Sequence, residues 1–130
     1  MAKKDITLSE QQMEIMRVLW RGGEATVQDV REALSKDKPL ATTTVATMLS
    51  RLEKRGIIDH KTDERQYVYF PLVSENEVRR SMVKDLVSNV FRGDFAALMS
   101  HLVKESEIDP DDLESLKQMI DEQEKKEDQQ

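Results

Sequence analysis

The sequence predicts a mostly α-helical chain with one small β-hairpin, in the order three helices, two strands, three helices. Three observations carry that expectation. Apolar residues recur every three or four positions in six separate segments, the spacing of one helix face. Between Ile57 and Phe70 the period shortens to two, the spacing of a strand. Aromatic residues make up only 5% of the chain, with 4 Gly and 3 Pro, a composition that argues against a β-sandwich.

The first helix is announced by Ser9 and Gln12, which stand at the two positions of a capping box, with Leu8 and Met13 at the staple positions around it. Ile15, Met16, Leu19 and Trp20 follow at helical spacing, and Gly22 and Gly23 end the segment. A second helix starts at Thr26, with Asp29 three residues on and Val27, Val30, Ala33 and Leu34 as its inner stripe. Ser35–Leu40 contains Pro39 and reads as a turn. The third helix spans about Thr42–Arg55 and stops at Gly56. Its inner face is Val45, Met48, Leu49 and Leu52.

Ile57–Lys61 and Gln66–Phe70 read as strands around the polar turn Thr62–Arg65, with Tyr67 and Tyr69 on one face and Val68 and Phe70 on the other. Ser74 and Glu77 then form a second capping box, before Val78, Met82, Leu86 and Val90. Gly93 and Asp94 break the chain, and Phe95, Leu98, Met99 and Leu102 resume it. Asp109 caps a last helix that has Pro110 at its first position and Leu113, Leu116 and Ile120 as its stripe. Asp121–Gln130 is nearly all polar and is expected to fray. The domain boundary is expected near Val73, giving domains 1–73 and 74–130.

Hydrophobic residues are 38% of the chain and charged residues 35%, enough for a small core under a densely charged surface. The absence of cysteine excludes disulfides, thiolate metal sites and a cysteine nucleophile, and suits a reducing, cytoplasmic location. Met1–Asp5 is too short and polar for a signal peptide, and no apolar run approaches a membrane span. The net charge of −6 is unevenly placed. Residues 1–72 hold 12 Lys and Arg against 11 Asp and Glu, and residues 73–130 hold 8 against 15. The acidity therefore belongs to the C-terminal part, and a nucleic-acid contact answers to the local field rather than the total.

Three short helices followed by a hairpin is the order of a winged helix-turn-helix. In that arrangement the third helix enters the major groove of DNA and the hairpin lies along the backbone. The outer face of the third helix suits the task. Thr43, Thr44, Thr47 and Ser50 carry short hydroxyls, and Ala46 and the threonine methyls can meet thymine methyls. Arg51, Lys54 and Arg55 stand further along, within reach of phosphates, as do Lys61 and Arg65 on the hairpin. Each alone is an ordinary cap or solvated surface residue; their assembly on one helix and one hairpin is what points to DNA. Two other readings compete: a winged-helix module that binds only protein, favoured by the net charge, and a repressor released by a small ligand.

No nucleophile–base pair, phosphate-binding loop or dinucleotide fingerprint is present, so no enzyme is expected. His60 and His101 without cysteines make a poor metal set, and the acidic run Glu105, Glu107, Asp109, Asp111 and Asp112 lacks the spacing of a calcium loop. No metal site and no cofactor are expected.

The chain resembles the penicillinase and methicillin-resistance repressors, the BlaI/MecI family, which includes the copper-responsive CopY-type repressors. The likeness rests on LSEQQMEIMRVLW, TVQDVREAL, LATTTVATMLSRLEKRGII, YVYFPLVSENE and DPDDLESLKQMI, and so spans nearly the whole chain. It implies a homodimer that binds palindromic operators and pairs through its C-terminal helices. The expected pairing residues are Val78, Met82, Leu86, Leu98, Leu102, Leu113, Leu116 and Ile120. It also implies, for the β-lactam-responsive members, a membrane-bound sensor peptidase that acts indirectly and cleavage between an Asn and a Phe. Here the matching positions are His101 and Leu102, a departure that weakens the expectation of that route. The cysteine cluster of the copper-responsive members is missing.

Overall fold

The structure, a computed structural model, describes residues 6–34, 39–105 and 108–128. Two compact units divide between Asp85 and Leu86. The first opens with α1 (Glu10–Gly22). Its capping box is complete: Ser9 Oγ accepts from the Gln12 amide at 3.2 Å, and Gln12 Oε1 accepts from the Ser9 amide at 2.9 Å. Ile15, Met16 and Leu19 are its buried residues. The chain leaves through Gly23 at φ 84°, whose amide returns to the Leu19 carbonyl at 2.7 Å.

Residues Ala25–Thr26 form a short strand, β1, that the sequence pattern does not announce. It runs directly into α2 (Val27–Leu34), where Thr26 and Asp29 exchange two side-chain-to-amide bonds of 3.1 Å each. Most of the expected turn Ser35–Leu40 lies outside the described residues. The third helix, α3, is Thr42–Lys54, and it is followed by β2 (Ile58–Asp63) and β3 (Gln66–Pro71). The expected hairpin is thus present, widened to a three-stranded antiparallel sheet of order β1-β3-β2. Ala25 pairs with Tyr69 and His60 with the same Tyr69 from the other side.

The hairpin turn is tighter than expected. Pairing of Asp63 with Gln66 leaves only Glu64 and Arg65 at the tip, at φ 47° and 70°. Two successive left-handed residues match the right-handed twist of the strands, but they favour Asn-Gly rather than side chains with a full Cβ.

Two ties hold the exit from the sheet. Trp20 Nε1 donates to the Val73 carbonyl at 2.9 Å. Ser74 and Glu77 form the second expected capping box, at 3.0 and 3.3 Å, and start α4 (Glu75–Val90). Val78 of α4 is fully buried in the same core as Ile15, Met16, Leu19, Val45, Leu49 and Leu52. The N-terminal strap crosses to α4 as well: the Ile6 amide donates to Ser81 Oγ at 2.7 Å and Thr7 Oγ1 to Asp85 Oδ2 at 2.5 Å.

The second unit contains the end of α4, then α5 (Phe95–Lys104), capped by Asp94, and α6 (Pro110–Asp128), opened by Asp109. Neither α5 nor α6 has a buried residue. The last helix continues eight residues past Ile120, where fraying was expected. The polar extension has its own helical logic. Asp121 and Glu122 precede Lys125 and Lys126 by four residues, and the lysines complement the C-terminal end of the dipole. Among the described residues no helix is long and apolar enough to cross a membrane.

The strained tip gives a direct test. Replacing Glu64 by Asn and Arg65 by Gly together should raise stability by about 1–2 kcal/mol, since each relieved left-handed residue is worth of that order. Thermal melts of the full chain check it, and an unchanged or lower midpoint would contradict the turn assignment.

Candidate nucleic-acid interface

The third helix is presented by what lies beneath and at either end of it. Val45, Leu49 and Leu52 are fully buried and Met48 packs beside them, so the inner face read from the periodicity is in place. At the entry, Arg31 Nε of α2 donates to the Leu40 carbonyl at 2.9 Å, which fixes the chain just before α3 begins. Ala41 is the N-cap and supplies no side-chain bond, so the first-turn amides have no side-chain cap.

At the exit, the Gly56 amide returns to Glu53 O at 2.9 Å and the Ile57 amide to Leu52 O at 3.1 Å. With Gly56 at φ 78°, this is a Schellman turn, and the buried Ile57 completes it. The turn reverses the chain, so that β2 starts immediately after the helix it must brace.

The opposite face of α3 is open. Thr43, Thr44, Thr47, Ser50, Arg51 and Lys54 are exposed, and Ala46 is half-buried at the margin. One hydroxyl has a local partner: Thr47 Oγ1 donates to the Thr43 carbonyl at 2.8 Å, which leaves the exposed side chain its oxygen as an acceptor and its methyl as an apolar group.

Two of the expected cations have other partners. Arg55 donates to the Thr7 carbonyl at 2.8 Å and to Gln12 Oε1 at 3.4 Å. It ties the end of α3 to the start of α1 while staying exposed, so these bonds leave room for the expected phosphate contact. Lys61 pairs with Glu24 at 2.8 Å, and the hydrogen bond and charge of Glu24 hold its ammonium above the usual lysine value. Both partners are about half exposed, so water and salt screen the pair. Arg65 stands exposed at the hairpin tip.

The structure adds a cluster that sequence reasoning missed. Glu53 of α3 contacts His60 Nδ1 of β2, and the His60 ring stacks on Tyr67 with centroids 4.2 Å apart. Tyr69 lies 5.7 Å from the same ring, and burial pushes its phenol up from the usual tyrosine value. Strand alternation places the two tyrosines on one face. No periodicity within either element reveals that Glu53 meets them.

A sequence model of the family described as penicillinase repressor matches residues 8–122. The chain belongs to the penicillinase repressor family. It is similar to the methicillin resistance regulatory protein MecI of Staphylococcus aureus (strain N315), with 27% identity over 92% of this chain and 98% of that protein. It is also similar to the penicillinase repressor of Bacillus licheniformis, with 24% identity over 92% and 94% of the two chains. The solved DNA-binding domain of the repressor BlaI covers 58% of this chain and 93% of its own, with 33% identity and a TM-score of 0.51. The likeness supports the winged-helix reading of the first unit.

The family match reaches across both units, so the second bears on it too. Of the expected pairing residues, Val78 is spent on the core of the first unit and Met82 packs against that core. Val78, with no exposed surface, leaves the list of interface candidates for that reason, whereas Met82 keeps part of its surface open. Leu86 and Ile120 are exposed, and Leu98, Leu102, Leu113 and Leu116 are half-buried. His101 is exposed inside α5, with the Phe91 ring 6.2 Å from its own, and its carbonyl accepts from the Glu105 amide.

The exit turn makes the repressor sensitive at one position. Gly56→Ala should cost about 1–2 kcal/mol, because an alanine at this positive φ brings its Cβ against the backbone. Urea unfolding of the two proteins measures it, and a change below a few tenths would remove Gly56 from this role.

Proposed function

We propose that this chain is a transcriptional repressor that binds a palindromic operator as a homodimer, reading bases with α3 and bracing phosphates with the β2–β3 wing. The observation that carries the reading is the two-sidedness of α3. Its inner face is locked by three fully buried side chains, and its outer face offers only short hydroxyls, with Arg51 and Lys54 towards its C-terminal end. Small side chains allow close approach to base edges, and the cations reach backbone oxygens. Helix amides without a side-chain cap at the start of α3 suit a further phosphate contact. The relative that supports it is BlaI of Bacillus licheniformis, solved as a monomeric form in complex with the blaP half-operator; it shares 33% identity with this chain at a TM-score of 0.50.

Pairing is supported by the second unit's lack of a core. A unit whose helices bury no residue must hide its apolar surface elsewhere. Leu86, Leu98, Leu102, Leu113, Leu116 and Ile120 are the residues for that interface, and a two-fold dimer presents two copies of α3 about 34–36 Å apart. Loss of pairing would then release the operator. By resemblance, the His101–Leu102 bond matches the Asn-Phe cleavage position of the β-lactam-responsive members; it lies within α5, so a peptidase would need that helix locally opened.

Binding to palindromic promoter fragments, compared with random duplex at moderate salt, tests the function. Preference for a palindrome with steep loss on added salt is expected; equal weak binding to all duplexes would favour the protein-only module. Thr47→Ala should lower specific affinity by about tenfold and leave non-specific affinity nearly unchanged, whereas Lys54→Ala should weaken both and reduce the salt slope by about 1. Equal effects of the two variants would overturn the division of roles. In sedimentation, Leu116→Glu should shift the chain toward monomer, and an unaltered mass would exclude this interface.

A further inference from the structure

Glu53, Asp59 and His60 offer three ligand atoms that all lie within 4.8 Å of one another. They come from two elements, the last turn of α3 and the start of β2, and the Schellman turn at Gly56 folds one onto the other. The set is one imidazole nitrogen and two carboxylate oxygens. Two features hold it in shape before any ion arrives. Asp59 Oδ1 accepts from the His60 amide at 2.7 Å, and Tyr67 lies against the face of the His60 ring with an interplanar angle of 26°. Glu53 and His60 are each about one-third exposed and Asp59 is exposed, so water can complete a coordination shell.

We propose that Glu53, Asp59 and His60 form a binding site for a divalent first-row transition-metal ion. A metal takes ligands at ~2.0–2.2 Å from nitrogen and oxygen, which sets neighbouring donors ~3–3.5 Å apart. The three donors already lie within 4.8 Å of one another, close to that spacing. The ion takes the place of the direct Glu53–His60 contact and supplies two positive charges to offset the two carboxylates. The imidazole nitrogen selects for zinc, copper, iron, cobalt or nickel over magnesium, calcium and manganese, which prefer all-oxygen sets. Bound there, the ion ties the end of α3 to the first strand of the wing. The site is independent of whether α3 reads DNA.

Titration of the full chain with Zn²⁺, followed by calorimetry and by the NMR signals of the His60 and His101 rings, tests the proposal. One ion per chain is expected, with perturbation of the His60 ring. Each of Glu53→Gln, Asp59→Asn and His60→Gln should weaken binding at least tenfold, and His101→Gln should leave it unchanged. Zn²⁺ should also raise the melting temperature of the parent and of His101→Gln but not of His60→Gln. Far-UV circular dichroism and metal-free melting curves establish that each variant is folded. Millimolar Mg²⁺ should not compete. Absence of binding, or binding that survives His60→Gln and so reports an adventitious ion only, overturns the site.

Discussion

The burial of Val45, Leu49 and Leu52 beneath α3 is the constraint on which the rest of the first unit depends. The helix has poor intrinsic reasons to form. Thr42, Thr43, Thr44, Val45, Thr47 and Ser50 each sit up to about 0.7 kcal/mol above alanine in helix propensity, on the order of 3–4 kcal/mol together. Full burial of three large aliphatic side chains contributes about 1.5–3 kcal/mol each, which exceeds that deficit. Packing therefore sustains a helix whose exposed face is free to carry hydroxyls instead of strong helix formers. The same packing fixes the rotation of α3, and with it which residues face outward.

Much of this was legible in the sequence because it is local. A capping box is complete within four residues, so Ser9 with Gln12 and Ser74 with Glu77 mark their helices correctly. The faces of α3 follow from one period, and the hairpin follows from the change of period. The illegible parts depend on partners distant in the chain. β1 is two residues long and exists because Ala25 and Thr26 find Tyr69 and Val68, more than forty positions away. Val78 has the spacing of an interface residue, and only the tertiary core claims it. Arg55 resembles any other helix-end cation until Thr7 and Gln12 appear beside it. The tip at Glu64 and Arg65 lacks the Asn-Gly signal, because the pairing of Asp63 with Gln66 imposes a turn that its own residues do not favour.

Arg55 also shows how one side chain can serve two ends of the unit. It holds the Thr7 carbonyl, while the Thr7 hydroxyl holds Asp85 at the far end of α4's share of that unit. The N-terminal strap is thus fastened both to the end of α3 and to the helix that leads out of the winged fold. Within this unit the orientation of α4 is set by Val78 in the core and by these polar ties around it. The first part of α4 is therefore joined, within this unit, to the end of α3 through packed and hydrogen-bonded contacts.

On the proposed reading, the charge distribution explains why one copy is insufficient. The half that holds α3 and the wing is close to neutral, and the rest of the chain is acidic. Attraction to DNA must then come from a few local cations. Arg51, Lys54 and Arg65 stand outward on the two elements, beside exposed Arg55 and Lys61, which also hold the N-terminal strap and Glu24. Non-specific affinity grows with the number of phosphates neutralised, so three to five cations per copy support only weak binding at physiological salt. Two linked copies double the count and convert the second engagement into an intramolecular step. On that reading, an acidic second unit that pairs to bury its apolar surface would make operator occupancy conditional on pairing, and the dimer equilibrium would switch the repressor without any change at α3.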